Sequence, residues 1–403
     1  MELFRNTNID FLGKKWIFIA FSIVVTVVGV ASLVKKGGPK YGIDFKGGVE
    51  LRVRFKNDPP VDKIRAALAG KIPGEVEIQP VLDATGRGAA PELLIGTEIS
   101  DETRLNVNRD AIDTTLRDMF GGSDGKPDLN NASASDLANL LRGPLQAAGV
   151  PLSEDDLQKL LVSIKEFGVS KGGIINSLDD LSAVPGVTPA VINALKQNVS
   201  VGQFSILSAE QVGPKIGAEL RSKAIYATLY ALAGMLVYIA FRFEWIYGVA
   251  AVIAVFHDTI MTIGLFSLFD KEITLTVVAA LLTLVGYSMN DTIVVFDRIR
   301  ENVKTMRREP MPSLINLSIN QTLSRTVMAS GLTFLTALSL WLFGGKVLEG
   351  FAFALVVGIT VGTYSSIFIA SPILVAWQDF MASRGGKPTT VAAAAPAATV
   401  KKR

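Results

Sequence analysis

Four ionisable side chains interrupt strongly apolar stretches of this sequence: His257, Asp258, Asp291 and Arg325. Charged groups at membrane depth are costly, and they are usually retained for a function. A carboxylate in a low-dielectric site binds its proton more tightly, and an arginine nearby reverses that effect. Together with Asn290, which precedes Asp291, these residues predict a proton relay in which Arg325 moves relative to Asp291.

A purely structural interpretation of the same residues stays open. Asp291 and Arg325 would then form a static ion pair, and His257 and Asp258 would hold two helices together. The relay is preferred for Asp291 and Arg325, whereas a helix cross-link is preferred for His257 and Asp258.

The composition excludes several other kinds of site. Among 403 residues there is no cysteine and one histidine, which excludes disulfides, thiolate sites and multi-histidine metal centres. The sequence has no phosphate-binding glycine loop ending in Lys-Ser or Lys-Thr, so ATP use by this chain is not supported. We expect no enzyme activity, no cofactor and no metal site.

The charged residues lie in segments that predict a membrane protein, because 49% of the chain is apolar and only 19% is charged. A helical span needs about 20 mostly apolar residues. Segment 16–34 is too long for a signal-peptide core of about 7–15 residues and lacks a small-x-small cleavage site, so we interpret it as a retained helix. The six predicted spans are 16–34, 223–241, 246–268, 273–296, 318–343 and 350–377.

Small and polar residues recur within these spans at the i, i+3 and i+4 spacing of one helix face. Such a polar seam is expected inside the bundle, where small residues let helices approach closely. The faces are Tyr226, Tyr230, Gly234 and Tyr238 in span two; Ala251, Ala254, Asp258 and Thr262 in span three; Leu284, Tyr287, Ser288 and Asp291 in span four; and Gly358, Gly362, Ser365 and Ser366 in span six.

Basic residues in the short segments predict the orientation. Fourteen lysines and arginines fall in 1–15, at Arg242, in the 297–317 loop and in the tail 378–403, against two on the other side. Four lysines after span one oppose this distribution, but a domain as long as 35–222 crosses largely regardless of charge. We therefore predict cytoplasmic termini, an exported domain at 35–222 and a disordered tail at 378–403.

The exported domain is predicted to have the order β-α-β-β-α-β of a ferredoxin-like unit. Its elements are strand 49–56, helix 60–69, strands 75–82 and 92–97, helix 100–120 capped by Ser100, and strand 203–211. The predicted fold class is a membrane all-α six-helix bundle with an exported α+β ferredoxin-like domain that carries a helical insertion.

Residues 121–202 form that insertion, and they carry a pattern typical of DNA-binding hairpins. Segment 177–192 resembles a helix-hairpin-helix motif, and 130–137 resembles a degraded second copy. DNA affinity depends on neutralising phosphates, yet the insert has 6 basic and 9 acidic residues. We expect an insert that contacts protein partners, and no nucleic acid.

Six motifs in order along the chain resemble those of SecF subunits from bacterial SecD–SecF complexes, within the resistance-nodulation-division superfamily. The resemblance covers about 300 of 403 residues, and insert 121–202 departs from the short exported domain usual in that family. The motifs are Gly42-Ile43-Asp44-Phe45-Lys46-Gly47-Gly48, Val212-Gly213-Pro214-Lys215-Ile216-Gly217, His257-Asp258, and residues 286–302, 320–326 and 362–367.

The resemblance implies a place in protein export at the bacterial inner membrane. Its partners would be SecD, the SecYEG channel with associated Sec components, an unfolded preprotein and membrane lipid. The proton gradient would drive movements that complete translocation. By motif match, the acid and the arginine of the family's proton path would be Asp291 and Arg325. Gly47 and Gly48 suit a tight turn with positive φ, while Asp44 is either a turn cap or a functional acid.

Two other functions remain as alternatives. The chain could be half of a proton-driven small-molecule or lipid exporter of the same superfamily, whose members carry twelve spans and two large outside domains. It could instead be a membrane-anchored binding module whose helix bundle is inert.

Overall fold

A computed structural model describes residues 7–74, 76–81, 91–99, 101–121, 125–150, 152–242 and 244–383. The chain divides into two compact units. One contains the residues up to Tyr41 together with those from Ser222 onward, and the other is Gly42–Arg221.

Six helical stretches of the described residues are long and apolar enough to cross a membrane. Five of the six predicted spans fall within these helices, whereas the fourth, 273–296, is predicted to start two residues before its helix begins at Leu275. Most of the helices extend beyond the predicted ends. The helices are α1 (Lys15–Lys35, after a 3-10 turn at Leu12–Lys14), α8 (Pro214–Arg242), α9 (Trp245–Leu268), α10 (Leu275–Thr305), α11 (Met311–Phe343), and α12 (Gly345–Ser365), which continues through a π-helical turn (Ser366–Ala370) into α13 (Ser371–Ser383).

The final helix corrects the predicted tail. Residues 378–383 are helical in α13, and 384–403 lie outside the described residues. Aromatic packing explains the extension, because the Trp377 ring lies 4.7 Å from that of Trp245 and 5.8 Å from that of Phe380.

Helices α1 and α9 cross at a pair of glycines, Gly29 and Gly264. A Cβ atom on Gly29 would lie 2.8 Å from the Gly264 Cα, and one on Gly264 would lie 3.0 Å from the Gly29 Cα. Close backbone approach at small residues is a common way for membrane helices to pack. One turn further, the Ser32 and Ser267 hydroxyls are hydrogen-bonded at 2.8 Å.

Two of the lysines that oppose the predicted orientation have acidic partners after α9. Lys36 pairs with Asp270 at 2.9 Å, and Lys40 lies 3.6 Å from Asp270 and 3.5 Å from Glu272. The hydrogen bond from Lys36 and the charge of Lys40 lower the pKa of Asp270. These lysines therefore stabilise a loop of the bundle.

The second unit contains a four-stranded sheet in the order β2-β3-β1-β4, in which all neighbouring strands are antiparallel. Alternating side chains of β1, such as Val49, Leu51 and Val53, are fully buried and form a core with α3 and α4. The predicted cap Ser100 lies outside the described residues. The elements are α2 (Ile43–Lys46), β1 (Gly48–Phe55), α3 (Val61–Ala69), β2 (Val76–Val81), β3 (Glu92–Glu98), α4 (Arg104–Phe120) and β4 (Phe204–Val212).

The insert between α4 and β4 has its own apolar core. Leu141, Leu161 and Leu195 from its three helices are almost completely buried together. Polar N-caps start each helix. The helices are α5 (Ala134–Ala147, capped by Ser133), α6 (Glu154–Ser170, capped by Ser153) and α7 (Pro189–Asn198, capped by Thr188), with a 3-10 turn at Leu178–Ala183 before α7.

The insert is joined to the sheet by side chains that bond the backbone beside β4. Asn131 accepts a hydrogen bond from the Ile206 N–H at 2.9 Å and donates one to the Phe204 carbonyl at 3.0 Å. The buried Asp128 accepts the Gly202 N–H at 2.8 Å. Because β4 is an edge strand, these contacts cover part of the edge that would otherwise be open.

Candidate functional site

Helix α9 supplies the centre of the candidate site. Ala251, Ala254, Asp258 and Thr262 are all buried, as their predicted common face requires. Asp258 is 1% exposed, and the Thr262 hydroxyl donates to its backbone carbonyl at 2.7 Å. The carboxylate is therefore held inside the bundle.

Helices α10 and α12 close around this carboxylate. A Cβ atom on Gly358 would collide with the Leu284 side chain. One on Gly362 would lie 2.9 Å from the Ser288 Cβ and 3.0 Å from its Oγ. The glycines of span six thus allow α12 to pack directly on the polar face of α10.

Asp258 is bonded on both carboxylate oxygens. The Ser288 Oγ donates to Asp258 Oδ2 at 2.5 Å, and the His257 Nδ1 lies 2.9 Å from Asp258 Oδ1. The Ser288 bond crosses from α10 to α9, so this cluster is also a helix cross-link. The arrangement can hold or pass a proton between an imidazole, a carboxylate and a hydroxyl.

The other side of the imidazole faces α12. The Tyr364 ring lies edge-on to His257 with centroids 6.1 Å apart. The Tyr364 hydroxyl is hydrogen-bonded to the Ser22 hydroxyl of α1. His257 Nε2 and Ser365 Oγ are buried and have no hydrogen-bond partner among the described residues.

Asp291 lies one turn after Ser288 on α10, and it has a different partner from the one predicted. It is 2% exposed, and the Ser330 Oγ of α11 donates to its Oδ2 at 2.7 Å. In the described part of the chain no ion pair joins Asp291 to Arg325, although Arg325 is close enough to act on it electrostatically. The static Asp291–Arg325 pair considered from the sequence is therefore not observed.

Arg325 and Asn290 are both exposed on the surface of this unit. The sequence placed both with the buried site, whereas the structure brings together His257, Asp258 and Ser288, with Asp291 one turn away on α10. Asn290 follows the buried Met289, and the helix turn carries it to the outer face of α10.

The predicted seam of span two is also outside the bundle. Tyr226, Tyr230 and Tyr238 are 58%, 74% and 55% exposed, and Gly234 is exposed with them. The expectation that this face lies inside the bundle is therefore wrong for this unit. Helix α8 packs through its other side, where Ile239 is buried.

The glycine motifs pack against each other in the second unit. Gly47 has φ +79°, and a Cβ atom on it would lie 2.7 Å from the Pro214 Cα. Gly48 begins β1 without a positive φ, and a Cβ there would collide with the Thr97 carbonyl. Only Gly47 therefore makes the turn, while Gly48 is needed for space.

The neighbouring motif residues occupy the ends of short elements. Gly42 precedes α2, Asp44 lies in its first turn, and Gly213 precedes Pro214 at the start of α8. These residues position backbone segments around β1 and β4.

The sequence did not predict Ser330, Tyr364 and Ser22 as contacts of the site. Ser330 lies four residues after Thr326, so both polar side chains fall on one face of α11, where both are buried. This spacing could have indicated that Ser330 faces the interior. Tyr364 lies within the motif at 362–367, but that motif did not predict a contact with His257. Among the described residues no cluster of three or more acids or histidines could hold a metal ion.

Two family models match the chain. Residues 191–379 match the model "Protein export membrane protein SecD/SecF, C-terminal", and residues 32–59 match "SecD/SecF GG Motif". A "Protein translocase subunit SecF" from Koribacter versatilis is 48% identical over 400 residues, which cover 96% of this chain and 95% of that one. The chain belongs to the SecF family. With six apolar helices among its described residues, this SecF-family chain is a multi-pass membrane protein.

Other SecF-family relatives agree with this assignment. The subunit from Rhodothermus marinus is 35% identical, with 95% of this chain and 98% of that one covered. The crystal structure of SecDF from Thermus thermophilus, described as a translocon-associated membrane protein, matches with a TM-score of 0.62 and 31% identity. That match covers 93% of this chain but only 39% of the SecDF chain.

Proposed function

We propose that the chain is an accessory subunit of the bacterial Sec protein-export machinery and that proton flow through its bundle drives late steps of translocation. Membership of the SecF family supports the export role. The observation that carries the proton coupling is Asp291, a buried carboxylate whose described hydrogen-bond donor is the neutral Ser330. Such a carboxylate can take up or release a proton without breaking an ion pair.

Asp258 is proposed as a second proton-binding group. It lies on the neighbouring helix, and Ser288 bonds it from the same face of α10 that carries Asp291. His257 contacts the second carboxylate oxygen and has a ring nitrogen left for a proton or water. Arg325 is proposed to approach Asp291 in one state of the cycle and favour proton release.

The partner proposed for the bundle is a SecD-type subunit. Asn290 and Arg325 are polar residues of apolar helices, and both are exposed on this unit. Lipid cannot satisfy such groups, so other protein helices are needed to cover them. The Thermus SecDF chain, of which this chain covers 39%, is long enough to contain both sets of helices. Beyond SecD, we propose contact with SecYEG and with unfolded preprotein.

The sheet unit is proposed to be a ferredoxin-like exported domain. Its strand order, its antiparallel pairs and the two helices α3 and α4 support this assignment.

We propose that the insert binds protein partners and no nucleic acid, because 9 of its 15 charged residues are acidic. The excess of lysines and arginines in the short segments on the side of the termini supports an inner-membrane protein whose termini are cytoplasmic. The proposed role is transport, with no hydrolytic activity and no cofactor.

Substitution of Asp291 tests this function. We expect Asp291→Asn to abolish proton-dependent export of a reporter preprotein in cells at native expression, because the amide cannot titrate. Asp379→Asn, an exposed position on α13, is the matched control and should export normally. Normal export by Asp291→Asn at wild-type membrane levels would contradict the proton-coupled role.

A further inference from the structure

Residues 9–13 form a short strap whose backbone is bonded by two asparagines of α11. The Ile9 N–H donates to Asn320 Oδ1 at 2.9 Å, and Asn320 Nδ2 donates to the Ile9 carbonyl at 2.9 Å. The Asn316 Oδ1 accepts the Phe11 and Leu12 N–H groups at 3.0 and 3.1 Å. Both asparagines bind main-chain atoms, so the contact depends on the amide groups of α11.

Asp10 closes the strap on itself and on α11. Its Oδ1 accepts the Gly13 N–H at 2.9 Å and the Asn316 Nδ2 at 2.6 Å. These two hydrogen bonds hold the pKa of the Asp10 carboxyl below its usual value. The strap is thus an ordered element with its own turn.

The apolar side of the strap contacts a different helix. Leu12 is buried in the main core of the bundle. The Phe11 ring lies edge-on to Phe368 at 5.9 Å between centroids, and Phe18 of α1 stacks on the same ring at 3.7 Å. Phe368 lies in the π-helical turn that follows α12.

The strap therefore joins two helices that each carry groups of the candidate site. Asn320 lies five residues before Arg325 on α11, about 7.5 Å along the axis. The π-helical turn begins directly after Tyr364 and Ser365, beside His257. A shift of the strap would change the position of α11 relative to this turn.

We propose that Asn316 and Asn320 are positioning residues of the proton relay. By holding the strap, they set α11, and with it Arg325 and Ser330, against the π-helical turn and the His257–Asp258 cluster. This inference rests on the proposed function, because it concerns the placement of the relay groups during export. Among the described residues, Ser288 donates a hydrogen bond to Asp258 and Ser330 donates one to Asp291, so neither asparagine acts by direct contact with these carboxylates.

The proposal is tested by replacing the Asn320–Ile9 hydrogen bonds with a cysteine pair that can be cross-linked reversibly. The chain contains no cysteine, so the introduced pair is the only cross-linking site within it. Ile9→Cys and Asn320→Cys are combined in the full chain, in membrane vesicles with its partner subunit and a cysteine-free reporter preprotein. A bifunctional methanethiosulfonate closes the pair, and dithiothreitol opens it. With free thiols we expect export about fivefold below wild type, the scale of losing one to two hydrogen bonds. Closing the pair should restore export, and opening it should remove the gain.

Single substitutions give the matched comparison. Asn320→Ala should show the same reduction, whereas Ser313→Ala, at an exposed position in the first turn of α11, should export as wild type does. Wild-type export by the open cysteine pair, or no recovery on closing it, would overturn the proposal. Asp291→Asn is measured in parallel. If Asp291→Asn abolishes export while Asn320→Ala exports as wild type does, the strap has no positioning role and the proposed function stands.

Discussion

At the residue scale, Gly362 sets how closely α12 approaches the Asp258 cluster. Its missing side chain leaves room for Ser288, whose hydroxyl donates to Asp258. A methyl group there must push Ser288 or its helix by several tenths of an ångström. The hydrogen bond that joins α9 to α10 is therefore sensitive to a residue on a third helix.

We expect Gly362→Ala to lower export about tenfold, because overpacking of about 1–3 kcal/mol would displace Ser288 from Asp258. Reporter export at equal membrane level measures the effect. Gly331→Ala on α11 is the control, since nothing lies within 4 Å of a Cβ atom there. Equal export by the two variants would show that the approach of α12 is not limiting.

Asp270 gives a pH-dependent prediction. Its pKa is lowered in the folded chain, so its contribution to stability is present above the unfolded pKa of about 3.9 and is lost as the pH falls through the folded pKa. Its side chain is 65% exposed, so the pairs with Lys36 and Lys40 are worth less than about 1 kcal/mol.

Asp270→Asn should therefore unfold about 1 °C below wild type at pH 6, and this difference should shrink as the pH falls below about 3.9. Thermal unfolding of the purified chain in detergent measures this difference, and Asp379→Asn should show none at either pH. A difference that persists unchanged at pH 3 would mean that the carboxylate charge is not its source.

The burial of single residues was predictable where a charged residue interrupts an apolar run. Asp258 and Asp291 interrupt apolar runs, so the sequence alone placed them inside the bundle. Ser330 was not predicted as the partner of Asp291, because that contact depends on the axial register of α10 against α11. Nothing in the spacing within one helix determines that register.

At the element scale, the insert completes the sheet edge. Asn131 bonds one N–H and one carbonyl of β4, as a neighbouring strand would. Open strand edges favour unwanted pairing, so a covering loop protects the fold. The insert is thus part of the architecture of the second unit.

Asn131→Ala should leave the Ile206 amide and the Phe204 carbonyl without this partner. We expect the Ile206 amide to exchange with deuterium about fivefold faster. Hydrogen exchange measured by mass spectrometry on the intact chain resolves the peptide. Asn198→Ala, which removes only a bond to Ala194 within α7, should leave β4 unchanged. Unaltered exchange in Asn131→Ala would show that the edge is protected by other contacts.

The sequence predicted most elements but not their details. Period-two alternation located β1 and β2 to within one residue, because β1 and the start of β2 bury alternate side chains. The π-helical turn at Ser366–Ala370 was missed, since its composition does not differ from that of an α-helix. The strap was missed because its bonds use backbone groups.

At the scale of the whole molecule, an uncovered polar face defines where a partner is needed. Asn290 and Arg325 are exposed on apolar helices, whereas the exposed residues of α1, such as Phe21 and Val24, suit lipid. The two surfaces have different chemistry although both are open on the isolated unit.

A photo-crosslinking amino acid at Asn290 should therefore form an adduct with a SecD-type partner in membranes. The same reagent at Phe21 should give none, because that side of α1 faces lipid in our proposal. Adducts are identified by mass and by antibody against the partner. Equal partner adducts at both positions, or adducts at Phe21 alone, would contradict the assigned face.

The π-helical turn also bears on how this helix tolerates length changes. A π turn holds one residue more than the α-helical turn it replaces, so deletion of one residue from Ser366–Ala370 would restore a continuous α-helix. The side chains of α13 would then keep nearly the same faces, because the extra residue of a π turn is accommodated within that turn. Ser371, Leu374 and Val375 would stay in the interior. A single-codon deletion in this turn should therefore preserve the packed face of α13, whereas the same deletion in a regular α-helical turn would rotate every following side chain by about 100°.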